Sequence, residues 1–405
     1  MRILLLTNLY PPQELGGYGR SMADFAWGLA SRGHQILVLT SDSSYLGDSS
    51  TKGTSGETIC RKLILCGSYQ GGVNLHKDPQ VIRNIEWINN KTIEKLLLKE
   101  GPFDAALVGN LDLLSNNPLN YLLSAKIPVI HHIGFVNPPF TADHMPKSAI
   151  FTLVAASAAV GKSMEQAGLM NNTKKTIPIV YPGVRTDLFG DSISERALPQ
   201  PLNGKSLAGM LGTTSNPIKL CYAGLLMSSK GAHTLISALL LLRKLNIKFQ
   251  VNIAGNSFQQ DYCNHLKDQL KKNNIDSVNF VGQLNRPALA RFFRLHHICV
   301  FPSIYPEAFG IVGAEAMASG IALISSGVGG AAELFENNVS GLLFEPNEPN
   351  SLAEKILNLC KQPQNLNQIA KAGMARATAS LSVYESAKKL ELIASELIAT
   401  KKSLC

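Results

Sequence analysis

Tyr305-Pro306-Glu307-Ala308-Phe309-Gly310-Ile311-Val312-Gly313-Ala314-Glu315-Ala316-Met317-Ala318-Ser319-Gly320 sets two carboxylates eight positions apart across a run of small residues. The apolar run His297-Ile298-Cys299-Val300-Phe301-Pro302-Ser303 precedes it and reads as a buried strand ending at a proline. A loop and then a helix follow, with the helix expected to begin near Phe309. The N–H groups of its first turn and the positive end of its dipole would face an anion held at the strand's carboxyl end, a geometry that suits a diphosphate. Glu307 precedes the helix, whereas Glu315 falls one turn past Ile311 on the same face, because positions four apart stack on a helix. On this reading the two acids flank one ligand. Gly310, Gly313, Ala314, Ala318 and Gly320 keep side chains clear of the backbone, as close approach to a phosphate or a sheet requires.

An amphipathic core helix carrying two solvated glutamates is the plainer reading of the same residues, and the context decides against it. The stretch resembles the Glu-x7-Glu signature of glycosyltransferase family 4, retaining enzymes with the two-domain GT-B fold. Pro306, Phe309-Gly310-Ile311 and Ala316-Met317-Ala318-Ser319-Gly320 fall where that family places them, and the likeness continues through Ser325 to Glu333 and Asn338 to Phe344.

A chain of 405 residues is too long for one ordinary core, and two domains are expected. With 45% apolar and 17% charged residues it has the composition of a folded soluble protein, neither disordered nor collagenous. No run approaches the roughly 18 to 20 apolar residues of a membrane span. The opening Met1 to Thr7 reads as a first strand, since its apolar run stops before Asn8 and has no cleavage site of small residues. The seven cysteines include no Cys-x-x-Cys and sit mostly in apolar surroundings, which suggests reduced thiols and a cytoplasmic setting. The net charge of +9 is compatible with peripheral contact with an anionic membrane. Its basic residues are scattered and not interleaved with aromatics, so nucleic acid is not expected as a partner.

Short apolar runs alternate with helical patterns from Arg2 onward, and near-continuous apolar strands favour parallel sheets covered on both faces. The expected fold is α/β. Residues 1–195 form an N-terminal domain, 196–217 a linker rich in Pro, Gly, Ser and Asn, 218–382 a second α/β domain, and 383–405 a closing helix. The resemblance implies two Rossmann-like domains facing a central cleft, with the last helix crossing back to the first. It also implies that the first domain supplies the acceptor side and the second holds a nucleotide sugar.

Lys230 lies in Leu225-Leu226-Met227-Ser228-Ser229-Lys230-Gly231, after a strand and before a helix, where a mobile point charge suits a diphosphate. A surface lysine beside a turn glycine is the ordinary alternative, and the stretch resembles the family's Gly-Arg-Leu-x-x-x-Lys-Gly motif. Leu225 departs from it, standing where the family has arginine. Either Arg286 or Arg291 supplies that charge, or the donor is held more weakly. Gly16 and Gly17, in the loop Tyr10 to Arg20 after the first strand, resemble the family's glycine loop, a donor-binding element in which backbone N–H groups approach a phosphate or the reacting sugar. His131 and His132 end another strand; the resemblance carries a sugar contact to His132, with His131 a competitor because strand alternation sends the two to opposite faces. No Asp-x-Asp pair exists in the chain, and the adjacent His296 and His297 should point apart, so no metal and no cofactor are expected.

A nicotinamide-dependent oxidoreductase is the rival enzyme, because Gly17-x-Gly19 precedes a helix and Asp42 follows the second strand. Met22 occupies its third glycine position, and the glycines come late after the first strand. Gly161-Lys162-Ser163 imitates a P-loop without its first glycine. An inactive GT-B scaffold is supported by Leu225 alone. The resemblance therefore implies a retaining transferase of the hexosyl type, of the kind used in cell-envelope polysaccharide biosynthesis, moving sugar from a UDP- or GDP-sugar to a hydroxyl acceptor. In it Glu315 would bind the ribose, Phe309, Gly310 and Ile311 the phosphates, Glu307 the sugar, and Lys230 the departing diphosphate.

Overall fold

The computed structural model of the chain describes residues 1–70, 72–137, 140–170, 176–190, 211–257 and 259–404. The chain divides into two compact units, Met1–Gly183 with Val383–Cys405, and Val184–Ser382.

In the first unit the elements run β1 (Arg2–Leu6), α1 (Tyr18–Ser31), β2 (Gln35–Ser41), β3 (Thr58–Leu63), a small hairpin of β4 (Gly67–Ser68) and β5 (Asn74–Leu75), α2 (Pro79–Glu100), β6 (Ala105–Val108), α3 (Asn117–Ser124), β7 (Val129–Ile133), β8 (Phe151–Ala155) and α4 (Ala158–Gln166). Six strands pair in the order β3-β2-β1-β6-β7-β8, all parallel. Leu4, Leu5 and Leu6 are fully buried, and Ala105 to Val108 nearly so, as expected for a sheet covered on both faces. Helix starts are written in short polar residues: Asp78 accepts from the Gln80 N–H ahead of α2, and Ser157 from the Val160 N–H ahead of α4. Ser157 thus makes the stretch from Ala156 to Ser163 an ordinary strand-to-helix junction. Helix Val383–Leu404 belongs to this unit, where Ala387, Leu390, Ala394 and Leu397 join the core of Phe25, Ala26 and Leu29.

The second unit contains α5 (Thr186–Phe189), β9 (Ile218–Ala223), α6 (Ala232–Lys244), β10 (Phe249–Ala254), α7 (Gln260–Lys272), β11 (Val278–Gly282), α8 (Arg286–Arg294), β12 (Ile298–Phe301), α9 (Ile311–Ala318), β13 (Ala322–Ser325), β14 (Leu342–Leu343), α10 (Pro349–Lys361) and α11 (Pro363–Ser380), after which Val383–Leu404 is α12. Its sheet is again parallel and six-stranded, in the order β11-β10-β9-β12-β13-β14. In each sheet the strand order reverses beside the first strand, between β1 and β6 and between β9 and β12. Parallel sheets of this type bind ligands in the crevice outside the strand ends at such a reversal.

The first unit ends at Gly183, not at 195, because the next residues pack on the second core. Phe189 lies 6.3 Å from Phe293 between ring centroids, and buried Arg294 donates to the carbonyls of Phe189 (3.1 Å) and Gly190 (2.8 Å). Most of the expected linker lies outside the described residues. Leu211, placed in it by composition, is instead fully buried in the second core, and its N–H donates to the Cys360 carbonyl at 3.0 Å.

Candidate active site

The loops after β9 and β12 meet at the second reversal. After β9 the chain makes a short turn over Ser228–Lys230, and Gly231 adopts φ +69°, where any Cβ would collide with the Pro302 carbonyl oxygen. The Ser229 carbonyl accepts from the N–H groups of Ile304 (2.9 Å) and Tyr305 (3.3 Å), which fixes one loop against the other. Lys230 Nζ donates to Glu307 Oε1 at 2.6 Å, and Ser303 Oγ donates to the same oxygen at 2.5 Å. The main chain of Glu307 is held as well: its N–H donates to the Val328 carbonyl at 3.1 Å, and its carbonyl accepts from the Gly330 N–H at 2.7 Å. The Lys230 side chain is 32% exposed and that of Glu307 13%, so the pair is within reach of a ligand.

Helix α9 starts at Ile311, later than the expected Phe309, because Gly310 at φ +93° turns the chain there. A Cβ at Gly310 would press on the Phe301 ring (3.1 Å) and Leu334 (3.2 Å), so the turn and its packing both require glycine. Phe309 is buried and anchors the entry to the helix. The first-turn N–H groups of α9 lie one residue beyond this turn, in the loop-to-helix passage that also carries Glu307.

Glu315 is placed differently from Glu307. Its side chain is completely buried, and Arg286 Nη2 stands 3.6 Å from its Oε1. Arg286 opens α8, and its guanidinium lies 5.7 Å from the Phe189 ring centroid. The two acids differ in their surroundings: one is partly open beside a lysine, the other is enclosed beside an arginine. Of the two cations considered in place of the missing arginine, Arg286 is the one beside a site acid; Arg291 is exposed on α8. Leu225 is half-buried, and its carbonyl accepts from the Tyr222 hydroxyl at 2.9 Å.

In the first unit Gly16 and Gly17 lead into α1, with Gly17 at its N-cap, and Glu14 pairs with Arg20 at 3.4 Å. His132 does not face an open loop. Its Nε2 lies 2.8 Å from the Val180 carbonyl oxygen and its ring packs edge-on to Phe25 at 4.9 Å, which are the contacts of a core histidine. Burial pulls its pKa down to about 4 and that of His131 to about 3, so both are neutral at neutral pH. His131 is equally enclosed, beside Phe140. The oxidoreductase reading loses its acid too: Asp42 Oδ1 accepts from Gln13 Nε2 (2.8 Å) and Ser49 Oγ (2.8 Å) in a local network.

Two features escaped the sequence reading. Ser303 could have been flagged by its spacing four residues before Glu307. The other is a closed triad at the first reversal: Asn8 Nδ2 donates to Tyr69 Oη (2.6 Å) and Asp112 Oδ1 (2.6 Å), and Tyr69 Oη donates to Asp112 Oδ2 (2.7 Å). Its members are far apart in the chain, and no local pattern joins them.

His296 and His297 serve the fold. His296 Nδ1 lies 2.7 Å from the Phe292 carbonyl oxygen, while His297 Nδ1 accepts from the Lys219 N–H at 3.1 Å. Among the described residues no group of three or more His, Cys, Asp or Glu is arranged to hold a metal ion, and no helix is long and apolar enough to cross a membrane.

Residues 210–376 match the family described as glycosyl transferases group 1. Over 96% of this chain and 96% of its own length, a glycogen synthase of Mycobacterium tuberculosis is 26% identical. The fold is similar to a crystal structure of a glycosyltransferase from Rickettsia africae, at TM-score 0.73 and 20% identity over 98% of each chain. It is also similar to Anabaena HepE solved with UDP-glucose, at TM-score 0.71 and 20% identity over 98% of this chain and 100% of that one.

Proposed function

We propose that this chain, a member of the group 1 glycosyl transferases with the GT-B fold, transfers a hexosyl group from a nucleoside diphosphate sugar to a hydroxyl acceptor with retention of anomeric configuration. The observation that carries the reading is the convergence of Lys230 and Glu307 at the strand-order reversal of the second sheet, next to the start of α9. A lysine and a helix N-terminus neutralise a diphosphate, and an adjacent carboxylate accepts hydrogen bonds from sugar hydroxyls.

In this proposal Gly310, Ile311 and the turn at Phe309 cradle the phosphates, Lys230 stabilises the diphosphate as it departs, Glu307 orients the sugar, and Glu315 binds the ribose. Arg286 stands where it balances Glu315. Gly16 and Gly17 offer backbone N–H groups to the donor's phosphate or reacting sugar, whereas His132 keeps the structural role its contacts describe. No side chain acts as a covalent nucleophile: the leaving phosphate takes the acceptor proton while the site stabilises oxocarbenium-like charge. With no Asp-x-Asp pair in the chain, phosphate charge is met by Lys230 and the helix terminus instead of an acidic metal clamp. The setting proposed is cytoplasmic, with peripheral contact at an anionic membrane face where the acceptor is a lipid.

The test is a thermal-shift screen of nucleotide sugars, beginning with UDP-glucose because HepE was solved with it. A donor at a hundred times its Kd should add about 2.7 kcal/mol. Turnover with that donor, and NMR of the product's anomeric configuration, then decide transfer and retention. An inverted product would remove the mechanism; no stabilisation by any nucleotide sugar would remove the function.

A further inference from the structure

Glu307 is held through one oxygen. Oε1 accepts from both Lys230 Nζ (2.6 Å) and Ser303 Oγ (2.5 Å). These two donors differ in what a ligand does to them. Lys230 ends a flexible four-carbon stem with a partly exposed ammonium, and a diphosphate carrying two or more negative charges competes for it with a single carboxylate. Ser303 is only 1% exposed and has no such freedom. It follows directly on β12 and Pro302, and its carbonyl accepts from Ser326 Oγ at 2.5 Å, with Ser326 itself buried. The hydroxyl is thus aimed from a rigid strand end, four residues before the carboxylate it meets.

We propose that Ser303 is the positioning residue of this site: when a donor diphosphate draws Lys230 away from Glu307, Ser303 keeps the carboxylate aimed at the sugar. The inference rests on the sugar-contact role of Glu307. Before the donor arrives, Lys230 and Ser303 share the carboxylate, so the acid is pre-aimed and the lysine pre-placed. Once the donor is bound, the lysine serves the phosphates and the serine alone restrains the acid. Loss of the hydroxyl therefore matters in the donor complex, where Glu307 would otherwise follow Lys230 or swing into solvent.

The experiment compares Ser303→Ala, Glu307→Gln and the double variant. Turnover is followed as hydrolysis or transfer of whichever of UDP-glucose, ADP-glucose and GDP-mannose the wild-type chain consumes. Affinity for the matching free nucleoside diphosphate is measured by calorimetry, which also reports that each variant is folded. Ser303→Ala should lower kcat about tenfold, the scale of one hydrogen bond to a charged group, while the nucleoside diphosphate Kd stays within about twofold. In the double variant the serine change should add nothing to Glu307→Gln, because its effect passes through that carboxylate. A Ser303→Ala enzyme as fast as the wild type overturns the inference alone, as does a serine effect that adds in full to Glu307→Gln. A Glu307→Gln enzyme of wild-type speed overturns the role of Glu307 and the inference with it.

Discussion

The two sheets reverse their strand order at equivalent places, yet the crevices differ in what fills them. At the first reversal Asn8, Tyr69 and Asp112 donate and accept among themselves, and the histidines of β7 turn into the core. At the second, a lysine and a glutamate meet at a partly open edge beside a helix entered through Gly310. The same architecture therefore gives one edge where three polar side chains bond one another and one edge where a lysine and a glutamate present charge. Local backbone demands set the second: Gly231 and Gly310 are each forced by a positive φ and by a neighbour where a Cβ would stand.

The comparison breaks most easily at Lys230. Lys230→Ala should lower transfer about a hundredfold or more, the scale of losing one charge-stabilising group. Unchanged turnover in a steady-state assay would mean the open edge is not the donor edge. The next effect separates the two acids. Glu315→Gln should weaken free nucleoside diphosphate binding about tenfold, because an amide is a weaker acceptor than a carboxylate, while Glu307→Gln should leave it within about twofold. Equal losses by calorimetry would show that burial beside Arg286 does not distinguish their roles.

On the first unit's side the expected effects concern stability. His132→Ala should cost about 1 to 3 kcal/mol in urea unfolding, since the Val180 carbonyl loses its partner, with turnover per folded molecule unchanged. A large kcat loss with normal stability would return His132 to the chemistry. The pH profile sharpens this. His131, His132, His296 and His297 have folded pKa values of about 3 to 4, mainly through burial, against an ordinary 6.5. The unfolded chain takes up protons first as pH falls, so stability is whole above about 6.5 and is lost toward about 4. A urea midpoint that stays level from pH 7 to 4.5 would contradict those buried placements. The smallest effect is expected of Leu225→Arg, which should leave donor affinity unchanged or raise it by a few-fold; a large loss by calorimetry would show that this loop does not tolerate the family's residue.

The alternation of apolar runs and helical patterns made both parallel sheets legible, because fully buried strands such as Leu4 to Leu6 and Ile298 to Phe301 carry no polar face. Lys230 and Glu307 were each expected at a donor site through the family resemblance, but nothing in the sequence joined the lysine, the glutamate and Ser303 in one set of contacts. Burial was harder to read. Nothing in the spacing of Glu307 and Glu315 says that one is enclosed, because that depends on Arg286 arriving from another helix. For His132 the resemblance carried a sugar contact, whereas the carbonyl of Val180, far along the chain, holds its ring. The Asn8-Tyr69-Asp112 triad was illegible for the same reason.

Helix α12 bears on the order in which the molecule is made. Its residues Ala387, Leu390, Ala394 and Leu397 complete a core begun by Ile3, Leu5, Phe25 and Leu29. A ribosome delivers those residues before α12, with the whole second unit synthesised between them. The first unit to emerge is thus the one that waits. Until α12 emerges, the apolar residues of α1 that meet it lack their cover, whereas the second unit has every strand and helix of its core before α12 appears. Chains stalled short of Val383 should accordingly carry a finished second unit and a first unit bound by chaperones.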